Sequence, residues 1–190
     1  MTDVKFKTKM ITAANENIRG SYVNIFEARE NDLNGKMEYS MQLLIPKTAK
    51  KTLALINGVV SESLKKKFGN NPPASLRNPL RDGDEPTDEG EPRAKEYHGH
   101  WFVNISNTRA PGIVDQQRTE LLVATDLVSG DYVRVSLNAY SYSNKGNKGT
   151  SLGLQNVQLV RKGEPLGNTI AAEDEFDDVE NEEYEDDLGL

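Results

Sequence analysis

Cysteine is absent from the 190 residues, and histidine occurs only twice. Without thiols there is no disulfide, no thiolate nucleophile and no cysteine metal site, which fits a reducing compartment or indifference to redox state. The two histidines, His98 and His100, stand in "HGH" with no third ligand marked by spacing, so neither a metal nor a cofactor is expected. No apolar run approaches the roughly 18–20 residues of a membrane span. The opening "MTDVKFKTKMI" has no apolar signal-peptide core. No membrane partner is expected, and the protein is expected to stay in the cytoplasm where it is made. Catalytic signatures are missing as well. There is no G-x-S-x-G, and the carboxylates of "RDGDEPTDEGE" (81–91) do not fall at the positions of a calcium loop. In "NAYSYSNKGNKGTSLGL" (138–154), Lys148 precedes Gly149 and a strand pattern follows. A phosphate-binding P-loop needs the lysine after the second glycine and then a helix. An enzyme is therefore not expected. The rival readings are a metal-dependent nuclease or recombination enzyme built on the acidic loop 82–91, and a structural or DNA-mimic decoy protein.

What is present is an uneven charge. The formal net charge is −7, yet residues 173–190 hold 11 acids and no Lys or Arg, leaving residues 1–172 at +4. Seven further acids lie in 82–96, and without that segment the body stands at about +9. A basic body with an acidic tail points to a polyanionic partner that the tail can imitate.

Period-2 alternation predicts strands at 4–11, 17–28, 36–46, 100–107, 130–143 and 149–160. A turn is expected at "NDLNG" (31–35), and "NKGNKG" reads as the loop of a hairpin. Leu53, Ile56, Val60, Leu64 and Phe68 recur at helical spacing, so a helix is expected over about 48–68, with Thr48 as N-cap and Gly69 as its end. Residues 70–99, with five prolines, form a long loop insertion. Past Gly163 no core pattern remains. The expected fold is mainly all-β: a Greek-key barrel of five to six strands with one inserted helix. The domain should run over 1–168, and 169–190 should be a disordered acidic tail.

The strand at 130–143 carries the most specific signal. Val133, Val135, Leu137 and Ala139 take one face, while Tyr132, Arg134, Ser136, Asn138, Tyr140 and Tyr142 take the other. Exposed aromatics interleaved with cations suit single-stranded nucleic acid, whose bases stack on rings while phosphates meet Arg and Lys. The candidate stacking residues are Tyr132, Tyr140, Tyr142 and Phe102. The candidate phosphate contacts are Arg134, Lys145 and Lys148, with Arg81 and Arg109 reaching in from loops. Trp101 is in phase with Val103 and Ile105 and is assigned to the core, as is Tyr39. Tyr22, Asn24 and Phe26 form a further row that is either outward or covered. In the tail, Phe176, Tyr184, Asp186, Asp187, Leu188 and Leu190 alternate acid with apolar residues. They are expected to compete for the basic groove and, when displaced, to dock on partner proteins.

The segments "SYVNIFEA", "YSMQLLIPK", "NPLRDGD", "GHWFVNISNTRAPGIVD", "SGDYVRVSLNAYSYSNKGNKGTSLGLQNVQLVRKGEPLG" and "AAEDEFDD" resemble, in that order, a family of bacteriophage single-stranded DNA-binding proteins. That family was formerly one of unknown function and is akin to the binders of T7-like phages. The resemblance implies an OB-fold domain that binds single-stranded DNA without sequence preference during phage replication or recombination, in the host cytoplasm. It also implies an acidic tail that contacts replication or recombination proteins; a homodimer is left open. The terminal "DDLGL" lacks the aromatic last residue common in related tails.

Overall fold

A computed structural model describes residues 8–144 and 146–167. Eight strands and one helix follow in the order β1 (Lys9–Ile11), β2 (Arg19–Glu30), β3 (Met37–Pro46), α1 (Lys50–Phe68), β4 (Arg81–Asp82), β5 (His100–Asn107), β6 (Gly112–Val114), β7 (Tyr132–Asn144) and β8 (Asn147–Arg161). Short 3-10 turns sit at Lys95–Tyr97 and Ala124–Asp126.

Five strands close on themselves. The hydrogen-bonded order runs β7-β2-β3-β5-β8, and β8 returns to β7. All of these pairs are antiparallel except β5 with β8. A five-stranded closed ring with one parallel pair is the OB type of small Greek-key barrel. The remaining strands are edges: β1 on β7, β6 on β8 and β4 on β5. The expected barrel is thus present; of the three short flanking strands β1 falls in the anticipated strand at 4–11, and β4 and β6 come in addition to the six anticipated.

Alternation builds the interior. Leu43, Ile45, Ile105, Val135, Leu137 and Leu154 are each 0% exposed and meet inside the ring. Two irregularities shift the inward parity. In β8, Ser136 pairs with Asn156 but Leu137 with Leu154, so the extra residue Gln155 lets both Leu154 and Val157 point inward. In β2, the register breaks between Ser21 and Asn24, and Tyr22 there has φ +46°. The bulge carries Tyr22 out to 67% exposure while Ile25 returns to the core at 1%.

Helix α1 packs on β7, β1 and β8. Ile56 and Val59 enter the core, joined by the polar Thr52 and Ser63. These two hydroxyls are buried because they are satisfied. Thr52 Oγ1 accepts the Ala13 N–H at 3.0 Å, and Ser63, Ser141 and Thr150 form a hydroxyl chain with 2.9 Å links. Gly69 ends the helix at φ +68°, its N–H bonding to the Lys65 carbonyl. Thr48 is not the cap. The helix begins after Ala49 with no side-chain cap of its own, and the Glu16 carboxylate accepts the Lys51 and Thr52 N–H groups at 2.9 and 2.8 Å. A carboxylate from the β1–β2 loop therefore satisfies the helix start and opposes its dipole. Tyr39 and Trp101 are half-buried rather than core.

Candidate nucleic-acid interface

Between β3 and β5 the outward face is polar where strand alternation leaves Ser40, Gln42, Asn104 and Ser106 on one side. A hydrogen-bonded line crosses this floor. Tyr97 Oη donates to Gln42 Oε1 at 2.8 Å, and Gln42 Nε2 donates to Asn104 Oδ1 at 2.8 Å. Burial, then the neighbouring Tyr22 phenol, pushes Tyr97 up to about 12, so it remains a protonated donor at neutral pH. Among the described residues nothing accepts from the Asn104 amide N–H groups.

Two cavities meet at Asn104. One, of about 460 Å³, lies toward the hairpin and is lined by Arg77, Pro79, Arg81, Tyr142 and Ser151. The other, of about 390 Å³, lies toward the 31–35 turn and is lined by Tyr22, Leu33, Ser40 and Gln42. Side by side and sharing Asn104, they make up the two stretches of a groove on this barrel face. Its hairpin-side wall is the insertion itself. The Arg77 N–H bonds to the Lys148 carbonyl at 2.9 Å, and the Thr150 N–H to the Arg77 carbonyl at 3.3 Å. Farther on, β4 adds to β5 with Arg81 opposite Phe102. A latch holds the insertion's base: Lys47 Nζ lies 2.6 Å from Asp82 Oδ1 and 2.7 Å from Asp84 Oδ2. The hydrogen bonds from Lys47 hold both carboxyls below the usual carboxylate range, and the Asp82 partner raises Lys47.

The expected residues divide. Tyr142 and Arg81 line the groove. Arg81 reaches it from a strand, β4, rather than from a loop. Tyr140 is 49% exposed and pairs with Ser151 beside it. Lys148 pairs with Ser143 at the hairpin and holds Arg77 through its carbonyl. Lys145 lies outside the described residues, as do Phe176, Tyr184, Asp186, Asp187, Leu188 and Leu190.

Other positions depart from one tyrosine track. Strand β7 spans 13 residues, about 40 Å, so Tyr132 and Tyr142 stand far apart along it. Tyr132, at the far end, is occupied by arginines, with the Arg161 Cζ 3.3 Å and the Arg19 Cζ 5.3 Å from its ring centroid. Arg134 donates Nε–H to the Thr12 carbonyl at 3.1 Å. Arg109 lines a separate cavity with Asn107, Gln155 and Asn156. Phe102 faces outward as its parity requires, but it offers no free ring. It is 2% exposed because Tyr97 meets it edge-on at 5.1 Å and the Arg81 and Arg93 guanidiniums lie over it.

Tyr22, Gln42, Arg77 and Asn104 are among the groove residues that the sequence did not single out as DNA contacts. Tyr22 stood in a row left as either outward or covered, and its exposure depends on a bulge. Gln42 lies inside an apolar strand, and Arg77 in a proline-rich stretch that carries no periodicity.

Among the described residues no group of three or more His, Asp or Glu is placed to hold a metal ion. Asp82 and Asp84, the first carboxylates of the acidic loop, are paired with Lys47. No helix among the described residues is long and apolar enough to cross a membrane.

A polar-floored groove on the β3–β5 face of such a barrel, with an aromatic and basic rim, is where oligonucleotides lie on this fold. The family model for the ssDNA-binding protein of Enterobacter phage Enc34 matches residues 8–188. The chain belongs to that family. Its members are single-strand binders, not enzymes. Protein p50 of Acyrthosiphon pisum secondary endosymbiont phage 1 is 30% identical over 181 residues, covering 89% of this chain and 94% of that protein. Among solved structures, the Enc34 single-stranded DNA-binding protein in complex with ssDNA superposes with a TM-score of 0.69 at 23% identity, over 84% of this chain and 90% of that one. The gp2.5 single-stranded DNA-binding protein of bacteriophage T7 superposes at 0.52 and 14% identity, over 88% of this chain and 99% of that one. These likenesses establish for this Enc34-family chain the OB-type fold expected from its strand pattern.

Proposed function

We propose that this Enc34-family protein binds single-stranded DNA, without sequence preference, along the groove that joins at Asn104. The two cavities that share Asn104 on one polar floor carry this reading. A groove open along its length suits a flexible strand. The ring of Tyr142 at one end, Tyr22 at the other and the exposed Tyr140 beside them supply sequence-tolerant stacking surfaces. Arg77, Arg81 and Lys148 follow the phosphates, and Gln42 and Asn104 offer hydrogen bonds to whatever base edge lies above them. The acidic tail, 169–190, competes for the groove and, once displaced, recruits replication or recombination proteins in the host cytoplasm. The domain 1–168 is the DNA-binding unit.

Fluorescence anisotropy of labelled oligo-dT at several salt concentrations tests this, comparing the full chain with one ending at Ala172 and using duplex DNA as control. Oligo-dT is expected to bind and duplex not. Truncation should tighten binding most at low salt. The slope of log K against log salt, about 0.7 per phosphate contacted, measures the footprint. Failure of both chains to bind oligo-dT at low salt would refute the reading.

A further inference from the structure

Arg93 lies in the most acidic part of the body, the segment 82–96 with its seven carboxylates. Simple charge pairing would bind it to one of them. Among the described residues it makes no ion pair. Its Nε–H donates to the Glu85 carbonyl at 2.9 Å and an Nη2 N–H to the Pro86 carbonyl at 3.3 Å. Two of the five guanidinium donors are thus used to fix its plane, leaving three. That plane is laid over Phe102, with Cζ 4.8 Å from the ring centroid.

Arg81 shares the same ring, its Cζ 4.3 Å from the centroid. No more than the sum of those two distances separates the two cations. Among the described residues, the Arg81 guanidinium donates to no protein group. Phe102 is therefore a buried apolar post on which two guanidiniums rest by cation–π attraction. Two like charges held this close, partly desolvated, are unfavourable unless an anion joins them. Burial, then the Arg93 charge, holds Arg81 below its ordinary value. The one carboxylate lining the groove at this point is Asp88, in the same cavity as Arg81.

We propose that Arg81 and Arg93, seated together on Phe102, form a phosphate site that grips one backbone phosphodiester of the bound strand, while Asp88, in the same cavity but in no ion pair with either, offsets their charge in the free protein. The proposal rests on the single-strand reading of the groove. It gives the insertion a role: its basic residues close the phosphate track from above, while Asp88 lowers the charge of that track until DNA arrives. Planar guanidiniums suit this task because their donor forks match two phosphate oxygens at once.

The test uses the full chain with labelled oligo-dT across a salt series, beside unfolding midpoints. Arg93→Gln keeps a flat polar head and part of the stem but removes the charge. It is expected to weaken binding and lower the salt slope by about 0.7. Arg93→Lys restores charge and should return the slope to the wild-type value. Asp88→Asn should tighten binding by about two- to fivefold at low salt. Arg93→Gln with wild-type affinity and slope would overturn the proposal, as would equal weakening in Gln and Lys variants at the wild-type slope, which marks a purely structural arginine. A wild-type protein that does not bind oligo-dT overturns the groove reading and this site with it. A wild type that binds, with Arg93→Gln indistinguishable from it, removes this site alone.

Discussion

A methyl group at position 149 would land where the insertion meets the hairpin. A Cβ there would lie 2.8 Å from Arg77 Cβ, 2.8 Å from the Arg77 carbonyl oxygen and 3.0 Å from Tyr142 Oη. Ordinary contact begins near 3.4 Å, so something has to move. The Tyr142 hydroxyl lies at the end of a side chain and can swing away. The Arg77 backbone cannot move without disturbing its two hydrogen bonds, from its N–H to Lys148 and from the Thr150 N–H to its carbonyl. Losing both costs about 1–3 kcal/mol at the usual net value per bond, and retaining them under compression costs about the same. Gly149→Ala is thus expected to lower unfolding stability by about 1–3 kcal/mol, read by urea denaturation. It should also draw the 77–81 wall off β8, displacing Arg77 and Arg81. Oligo-dT affinity should fall, and the salt slope should drop by up to about 1.4, two phosphate contacts. Gly153→Ala is the control. Its Cβ would meet Asn138 Oδ1 at 2.6 Å, the far end of a side chain that can rotate, so stability should fall by less and the slope should hold. Wild-type stability and wild-type affinity in Gly149→Ala would show that the insertion does not form the groove wall.

Tyr142→Ala should weaken oligo-dT binding by about 1–3 kcal/mol, the value of one stacked base, whereas Tyr142→Phe should bind nearly as wild type; an unchanged Tyr140→Ala, Tyr142→Ala double variant would refute stacking at this rim. Glu16→Ala should destabilise the fold by about 0.5–2 kcal/mol through loss of the cap on α1, measured by thermal unfolding at neutral pH. Burial pulls the Glu16 carboxyl upward, but hydrogen bonds from Thr52 and Lys51 hold it below its ordinary value, so the wild-type advantage is full above about pH 4.3 and should vanish as pH falls through the lower folded value. The Lys47 latch works between two limits. Asp82 and Asp84 are depressed, so their contribution disappears as pH drops below about 3.9. Lys47 is raised, so its contribution persists past about 10.4 and is lost only above that. Hydrogen exchange at the Gly99 N–H, which donates to Asp84 Oδ1 at 2.9 Å, should lose protection in acid beyond the intrinsic rate change; constant protection would refute the latch.

Much of the secondary structure was legible because its cause is local. The inward set of β7, Val133 to Ala139, and the helical repeat of α1 follow from side-chain periodicities of two and about 3.6 residues. These hold whatever the rest of the chain does. Polar members of a buried face escape such a reading. Thr52 and Ser63 look like surface residues until Ala13 and Ser141 arrive to satisfy their hydroxyls. The same limit misplaced the helix cap, since Glu16 lies 35 residues before Lys51, whose N–H it accepts.

The candidate site was legible in composition but not in layout. That the body is basic, that aromatics stand on an outer face and that the last strands form a hairpin are properties of the chain read in order. They pointed to nucleic acid before any contact was known. Which aromatics share a groove was decided by packing. One extra residue in β2 turns Tyr22 outward, because a single insertion reverses every later side chain of a strand. Strand length carries Tyr132 away to Arg19 and Arg161, though it stands only ten residues from Tyr142. The insertion, without periodicity of its own, takes its place through backbone bonds to β8 and β5, and so covers Phe102 with Arg81 and Arg93 instead of leaving the ring for a base. Local alternation by itself determined which residues could face outward; closure of the barrel alone decided which of them share a groove, because that depends on contacts between positions tens of residues apart.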